Sequence, residues 1–243
     1  MDTLQHIQDL VRHSSDPARA HKAQYFKTGP GHYAEHDRFL GVPNPVLRQI
    51  AKTSKILPLP VIEELLKSPY NEERLLALFF LVNSYTKASE TERTELYHFY
   101  LAHTGQINNW NLVDASAHLI VGHYLYAKEK ESLIILARSS SLWERRIAIV
   151  ATWYFIRKGD LQWTFLLSEV LLTDTHDLIH KAVGWMLREA GKRDQQKLRA
   201  FLQERAHCMP RTMLSYALEK FSPEEQRAFR KLKLSSNTKG THE

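Results

Sequence analysis

The sequence predicts an all-α chain of stacked helical pairs, on three observations. Nine Gly and nine Pro among 243 residues are sparse. Apolar residues recur at intervals of three and four rather than two, which is helical spacing. Helix-start signals recur along the whole length: Ser15-Asp16-Pro17, Pro43-Asn44-Pro45, Ser68-Pro69, Ser89-Glu90, Asp160, Asp174 and Ser222-Pro223. At such sites a short polar side chain accepts from a first-turn amide that has no partner within the helix, and proline is tolerated because it has no amide to satisfy.

Between these signals the pattern predicts helices of about 10 to 18 residues joined by short turns. The exception is residues 27–43, where Gly29-Pro30-Gly31 and Gly41 frame Tyr33 and Phe39, a long loop of hairpin-like character. A single repeat domain is expected over 1–234, with a polar, disordered tail over 235–243.

Length and composition exclude several classes. The longest apolar run, Leu75 to Val82, is eight residues, against roughly 20 for a bilayer-spanning helix. Residues Met1 to His6 are polar and lack a basic stretch followed by an apolar one, so neither a secretory signal nor a membrane association is expected. The single cysteine, Cys208, has no internal partner and reads as a small core hydrophobe in a reducing compartment, hence a cytoplasmic protein. Thirty-three Lys and Arg against 27 acids give a formal charge of +6, which suits a polyanionic partner.

Three segments align internally: Leu65-Leu66 with Glu73 to Leu78, Ile135-Leu136 with Arg145 to Val150, and Leu171-Leu172 with His180 to Trp185. Arg74 and Arg146 are 72 residues apart, Trp110 lies midway, and Lys181 follows Arg146 by 35. That period belongs to helix-pair repeats, which bury their apolar faces only by stacking on neighbours. The expected architecture is a right-handed superhelical solenoid of about six HEAT-like helical pairs with a concave basic groove.

On this period Arg74, Trp110, Arg146 and Lys181 are equivalent positions facing one groove. Asp114 and Trp185 follow Trp110 and Lys181 by four residues, one turn further along the same faces. Trp143, Trp153 and Trp163 fall among apolar residues and read as core, whereas Trp110 sits in the polar run Asn108-Asn109-Trp110-Asn111. Asp114, among small residues, is either paired with an arginine or held for chemistry. His32/His36 and His176/His180 have helical spacing but lack the His-Glu-x-x-His pattern and a third ligand, so no metal is expected. The sequence has no Walker A, Gly-x-Gly-x-x-Gly or Gly-x-Ser-x-Gly pattern, and no cofactor is expected.

Asn109 to Asp114, Trp143 to Arg146 and Lys181 to Glu189 resemble the AlkD family of alkylpurine DNA glycosylases. The resemblance extends to Phe39 to Pro43, Pro45 to Arg48 and Met209 to Thr212, and so spans nearly the whole chain. It implies that Asp114 is the catalytic carboxylate, that Trp110 and Trp185 flank the deoxyribose of the damaged nucleotide, and that Arg146 holds the adjacent backbone. Arg145, Lys181, Arg188, Arg48 and Arg211 of the matching segments, together with Tyr25 and Lys27 at the entry to the long loop, are then the expected DNA contacts. The implied activity is base excision of cationic N3- and N7-alkylated purines from double-stranded DNA by a monomeric enzyme of the bacterial cytoplasm or nucleoid. The segment Tyr25 to Gly29, opening a long loop, is similar to a branch of the superfamily that binds branched DNA with little or no glycosylase activity, which is the alternative. A protein-binding scaffold is a third class, disfavoured by the recurrence of Arg74, Arg146, Lys181 and Arg188.

Overall fold

The computed structural model describes residues 3–21 and 26–237. The described residues are helical with no named strand, as the spacing predicts. The chain forms two compact units, Met1–Ile120 and Val121–Glu243.

The first unit contains α1 (Leu4–His13), α2 (Pro17–His21), α3 (Asn44–Thr53), α4 (Leu59–Leu66), α5 (Asn71–Lys87), α6 (Glu90–Ala102) and α7 (Trp110–Ala117). Most start signals act as read. Asp16 accepts from the amides of Ala18 and Arg19 at the start of α2. Ser89 and Glu92 form a reciprocal capping box on α6. α5 is the centre of the unit: it packs on α3, α4, α6 and α7 and is buried on nearly all sides from Asn71 to Leu81, so it carries no narrow apolar stripe.

The loop between α2 and α3 is not a hairpin over its described residues. It runs in turns, and among its contacts with the helices is one isolated parallel bridge, in which the Arg38 amide donates to the Pro69 carbonyl and the Asn71 amide donates to the Arg38 carbonyl, both at 2.9 Å. Gly41 shows why the loop can lie so close to α2. Its φ is +78°, and a Cβ there would stand 2.1 Å from the Asp16 carbonyl oxygen.

A π-helical segment, His118–Gly122, lies at the boundary. The second unit contains α8 (His123–Leu125), α9 (Glu131–Ala137), α10 (Leu142–Arg157), α11 (Gln162–Val170), α12 (Asp177–Arg193), α13 (Gln195–Arg205), α14 (Arg211–Ala217) and α15 (Pro223–Asn237). The pairs α9/α10, α11/α12 and α13/α14 repeat: α10 packs on α12, α12 on α14, and α9 on α11. That is the neighbour-to-neighbour burial a helical repeat requires. Gly184 permits the tight α12–α14 contact, since a Cβ there would lie 2.5 Å from the Met213 carbonyl oxygen and from the Tyr216 Cβ.

Three expectations change. α15 continues to Asn237, past residue 234 where the disordered tail was expected to begin. Cys208 is exposed, in the turn between α13 and α14, while the neighbouring Met209 takes the buried position. Trp143, Trp153 and Trp163 are all partly exposed rather than core. Among the described residues no helix is long and apolar enough to cross a membrane.

Candidate functional site

The helix carrying two of the expected site residues begins at a buried cap. Asn109 is fully buried, and its side-chain oxygen accepts from the Trp110 amide at 2.7 Å. Its amide nitrogen donates to Asp37 Oδ2, also at 2.7 Å. Asp37 accepts further from Asn71 Nδ2 at 3.0 Å and, through Oδ1, from the Arg74 guanidinium at 2.5 Å. One loop carboxylate thus joins the starts of α5 and α7. Asn111 completes the network by donating to Asn71 Oδ1 at 2.7 Å.

The two residues after Asn71 extend the same logic. Both Glu72 oxygens accept from the amides of Leu40 and Gly41, at 2.8 to 3.1 Å. Glu73 accepts from Gln8 at 3.0 Å and lies 3.6 Å from Arg12 of α1. Both carboxylates lie in the first turn of α5, at the positive end of its dipole.

Trp110 is partly exposed and firmly held. Its ring stacks on Phe26 at 5.0 Å, Phe26 stacks on Phe39 at 4.7 Å, and Trp110 Nε1 donates to the Tyr33 hydroxyl at 3.2 Å. Asp114, one turn later on α7, is also partly exposed. Behind it Tyr100 is fully buried, with its hydroxyl 2.9 Å from Ser116 Oγ. Burial raises the Tyr100 phenol well above its usual range, the Ser116 contact opposes this, and the nearby Asp114 charge adds to it.

The repeat register differs from the expectation at α7 and, by one residue, at α5, where Arg74 is the fourth residue. Successive starts of α5, α7, α10 and α12 are 39, 32 and 35 residues apart, because the connections differ in length. Trp110 is therefore the first residue of α7, whereas Arg146 and Lys181 are the fifth residues of α10 and α12. Asp114, fifth in α7, is the residue in register with those two cations.

Several expected cations are committed internally. Arg74 is 4% exposed and bound to Asp37 and to the Ser68 carbonyl, so it does not face solvent. Arg146 is 5% exposed, and its guanidinium donates to the Leu178 carbonyl at 2.6 Å, bracing α10 against α12. Arg145 donates to Asp174 at 2.6 Å and to the carbonyls of Ser139 and Ser140, a clamp at the start of α10. Arg188 pairs with Glu219 and Glu189. Lys181 pairs with Asp177 at 2.7 Å, and this hydrogen bond is the main cause holding the Asp177 carboxyl below its usual range.

Arg48 lies 4.3 Å over the Phe79 ring and remains exposed, as do Lys27 and Arg211. Tyr25 lies outside the described residues. Trp185 is partly exposed and meets Trp153 edge-on at 5.0 Å, an aromatic partner that the apolar neighbours of Trp153 conceal. Asp37 and Asn71 carry no sequence signal, because their partners lie 34 to 72 residues away. Asn109 does carry one, as a polar residue directly before a helix.

Among the described residues no group of three or more His, Cys, Asp or Glu side chains has metal-binding geometry. The arrangement offers, in the first unit, a preorganised carboxylate and indole one turn apart and, in the second, a partly exposed tryptophan pair across the braced helices α10 and α12.

Comparisons with known proteins agree with this picture. A solved structure described as a predicted DNA alkylation repair enzyme from Enterococcus faecalis shares the fold, with a TM-score of 0.66 at 18% sequence identity, over 86% of this chain and 98% of that one. No curated protein matches the chain. The family model for DNA alkylation repair enzymes matches residues 6–221. The chain therefore belongs to the DNA alkylation repair enzyme family.

Proposed function

We propose that the chain is a monofunctional DNA glycosylase that removes N3- and N7-alkylated purines, such as 3-methyladenine and 7-methylguanine, by hydrolysing the N-glycosidic bond. Family membership supports repair of alkylated DNA. The observation that carries the finer reading is the placement of Asp114: partly exposed, on a helix whose start is locked by Asn109 and Asp37, and one turn from an indole fixed by Phe26 and Tyr33.

The chemistry needs little else. An alkylated purine already carries a positive charge, so the bond between C1′ and the base breaks with its electron pair going to the ring nitrogen, and no general acid is required. Positive charge then develops on the sugar. A carboxylate beside C1′ stabilises that oxocarbenium-like centre and orients the water that adds to it, releasing one proton. The products are free base and an abasic site. An electron-rich indole adds about 0.5 to 2 kcal/mol of cation–π attraction.

Incubation with methylated duplex DNA and detection of free base tests the reading. Release by the wild type and a loss of roughly a hundredfold or more in Asp114→Asn are expected. No release by the wild type sinks it.

One observation favours a second activity, recognition of branched DNA. The loop is anchored at Asp37 and at the Leu40 and Gly41 amides, while Lys27, Pro30, Gly31, His32, Glu35 and His36 are exposed. Deleting residues 29–36 spares the anchors and is expected to abolish any preference for branched over linear duplex. A preference that survives the deletion removes the loop as reader.

A further inference from the structure

We propose that a basic cleft between α3, α5 and α7 of the first unit is a subsite for a backbone phosphate of the DNA strand. The cleft has a volume of about 350 Å³, and Arg48, Lys52, Lys55 and Lys87 line it with no carboxylate among the lining residues. All four are exposed, so a polymer can reach them. Several other cations of the described surface stand beside acids, such as Lys67 beside Glu63, Lys192 beside Glu189 and Arg205 beside Glu169. A cluster of one sign in a concave site raises the local potential for an anion.

The cleft is built on fixed elements. Arg48 and Lys52 are four residues apart on one face of α3, and Lys87 shares a face of α5 with Phe79 and Asn83, spaced by four. Asn83 Nδ2 donates to the Ala51 carbonyl at 3.0 Å and ties the two helices together. Arg48 sits 4.3 Å over Phe79. A guanidinium has five N–H donors in a fork that can serve two phosphate oxygens. Ala115 of α7 and Leu119 of the π-helical segment that follows it close the cleft. Ala115 directly follows Asp114, so a strand phosphate held here is anchored on the helix that carries the proposed catalytic carboxylate.

The inference rests on DNA as the substrate and not on base excision. The test is binding of the full-length protein to undamaged duplex by fluorescence anisotropy over a range of KCl concentrations. Each cation that neutralises a phosphate contributes about 0.9 to the slope of log affinity against log salt, so Lys52→Gln with Lys87→Gln is expected to lower the slope by about 1.8. A control of equal charge, Arg230→Gln with Lys231→Gln on α15, is expected to change it by much less. An unchanged slope in the cleft variant, or an equal loss in the control, overturns the proposal. So does a phosphate-only result, in which inorganic phosphate raises the Tm of the wild type but not of the cleft variant while their DNA slopes agree. Base release by the wild type is measured alongside. A slope loss without base release leaves the subsite standing and removes the glycosylase reading; base release with no slope loss does the reverse.

Discussion

Asp37 and Asn109 stand 72 residues apart in sequence and 2.7 Å apart in space, and through this contact a surface loop holds the cap of the helix that presents Trp110 and Asp114. Asp37 also neutralises Arg74 in a buried pair. Removing one partner of such a pair leaves an uncompensated buried charge, which costs about 3 to 5 kcal/mol. Asp37→Asn is expected to lose that much stability in urea unfolding and to shift the Trp110 fluorescence. A loss below about 1 kcal/mol would mean that solvent or another group replaces the carboxylate.

Glu72 anchors the other end of the loop. Because both its oxygens accept from loop amides, Glu72→Ala leaves Leu40 and Gly41 without those partners. The expected cost is about 1 to 3 kcal/mol, concentrated locally. Hydrogen exchange at Leu40 and Gly41 should accelerate far more than at α4 or α6; uniform acceleration would mean that the whole unit loosens.

At Gly184 the argument is steric. A methyl group there meets the Met213 backbone and the Tyr216 Cβ at 2.5 Å, so α12 and α14 must separate. Gly184→Ala is expected to cost about 1 to 3 kcal/mol and to disturb the adjacent Trp185. Thermal unfolding together with Trp fluorescence checks this, and a variant with wild-type stability would mean that the interface yields freely.

The start of α12 is acid-sensitive. His176 caps it by accepting, at Nδ1, from the Leu178 amide at 3.1 Å, which requires a neutral ring at that nitrogen. Burial, the leading cause, lowers the His176 pKa from its usual 6.5. A base whose folded pKa is depressed contributes stability that is present above the unfolded value and lost as pH falls through the folded one. The Tm of the wild type should therefore fall more steeply below about pH 6.5 than that of His176→Asn, which caps without titrating. Parallel profiles would remove His176 as the source.

How much of this was legible depends on the range of each interaction. The caps at Asp16 and Ser89 are local, and the sequence displays them directly. The helical pairing followed from spacing alone, and the family from residues that match along nearly the whole chain. The period misled where it was taken as uniform: the longer α6–α7 connection slides Trp110 to the first position of its helix and puts Asp114 in register with Arg146 and Lys181. Arg74 and Arg146 look like surface cations in a repeat, yet each is turned inward to a carboxylate or carbonyl contributed from far along the chain. Trp153 sits among apolar neighbours and is nonetheless at the surface beside Trp185. A repeat pattern identifies equivalent positions, but the connections decide which side chain faces which way.

We propose that Asp114 performs the chemistry rather than merely sharing a helix with Trp110. The most direct measurement is single-turnover release of 7-methylguanine from methylated duplex DNA, comparing wild type with Asp114→Asn. Release by the wild type and a rate lower by roughly 10² to 10³ in the variant, with DNA binding retained, are expected. Equal rates in the two proteins would contradict it.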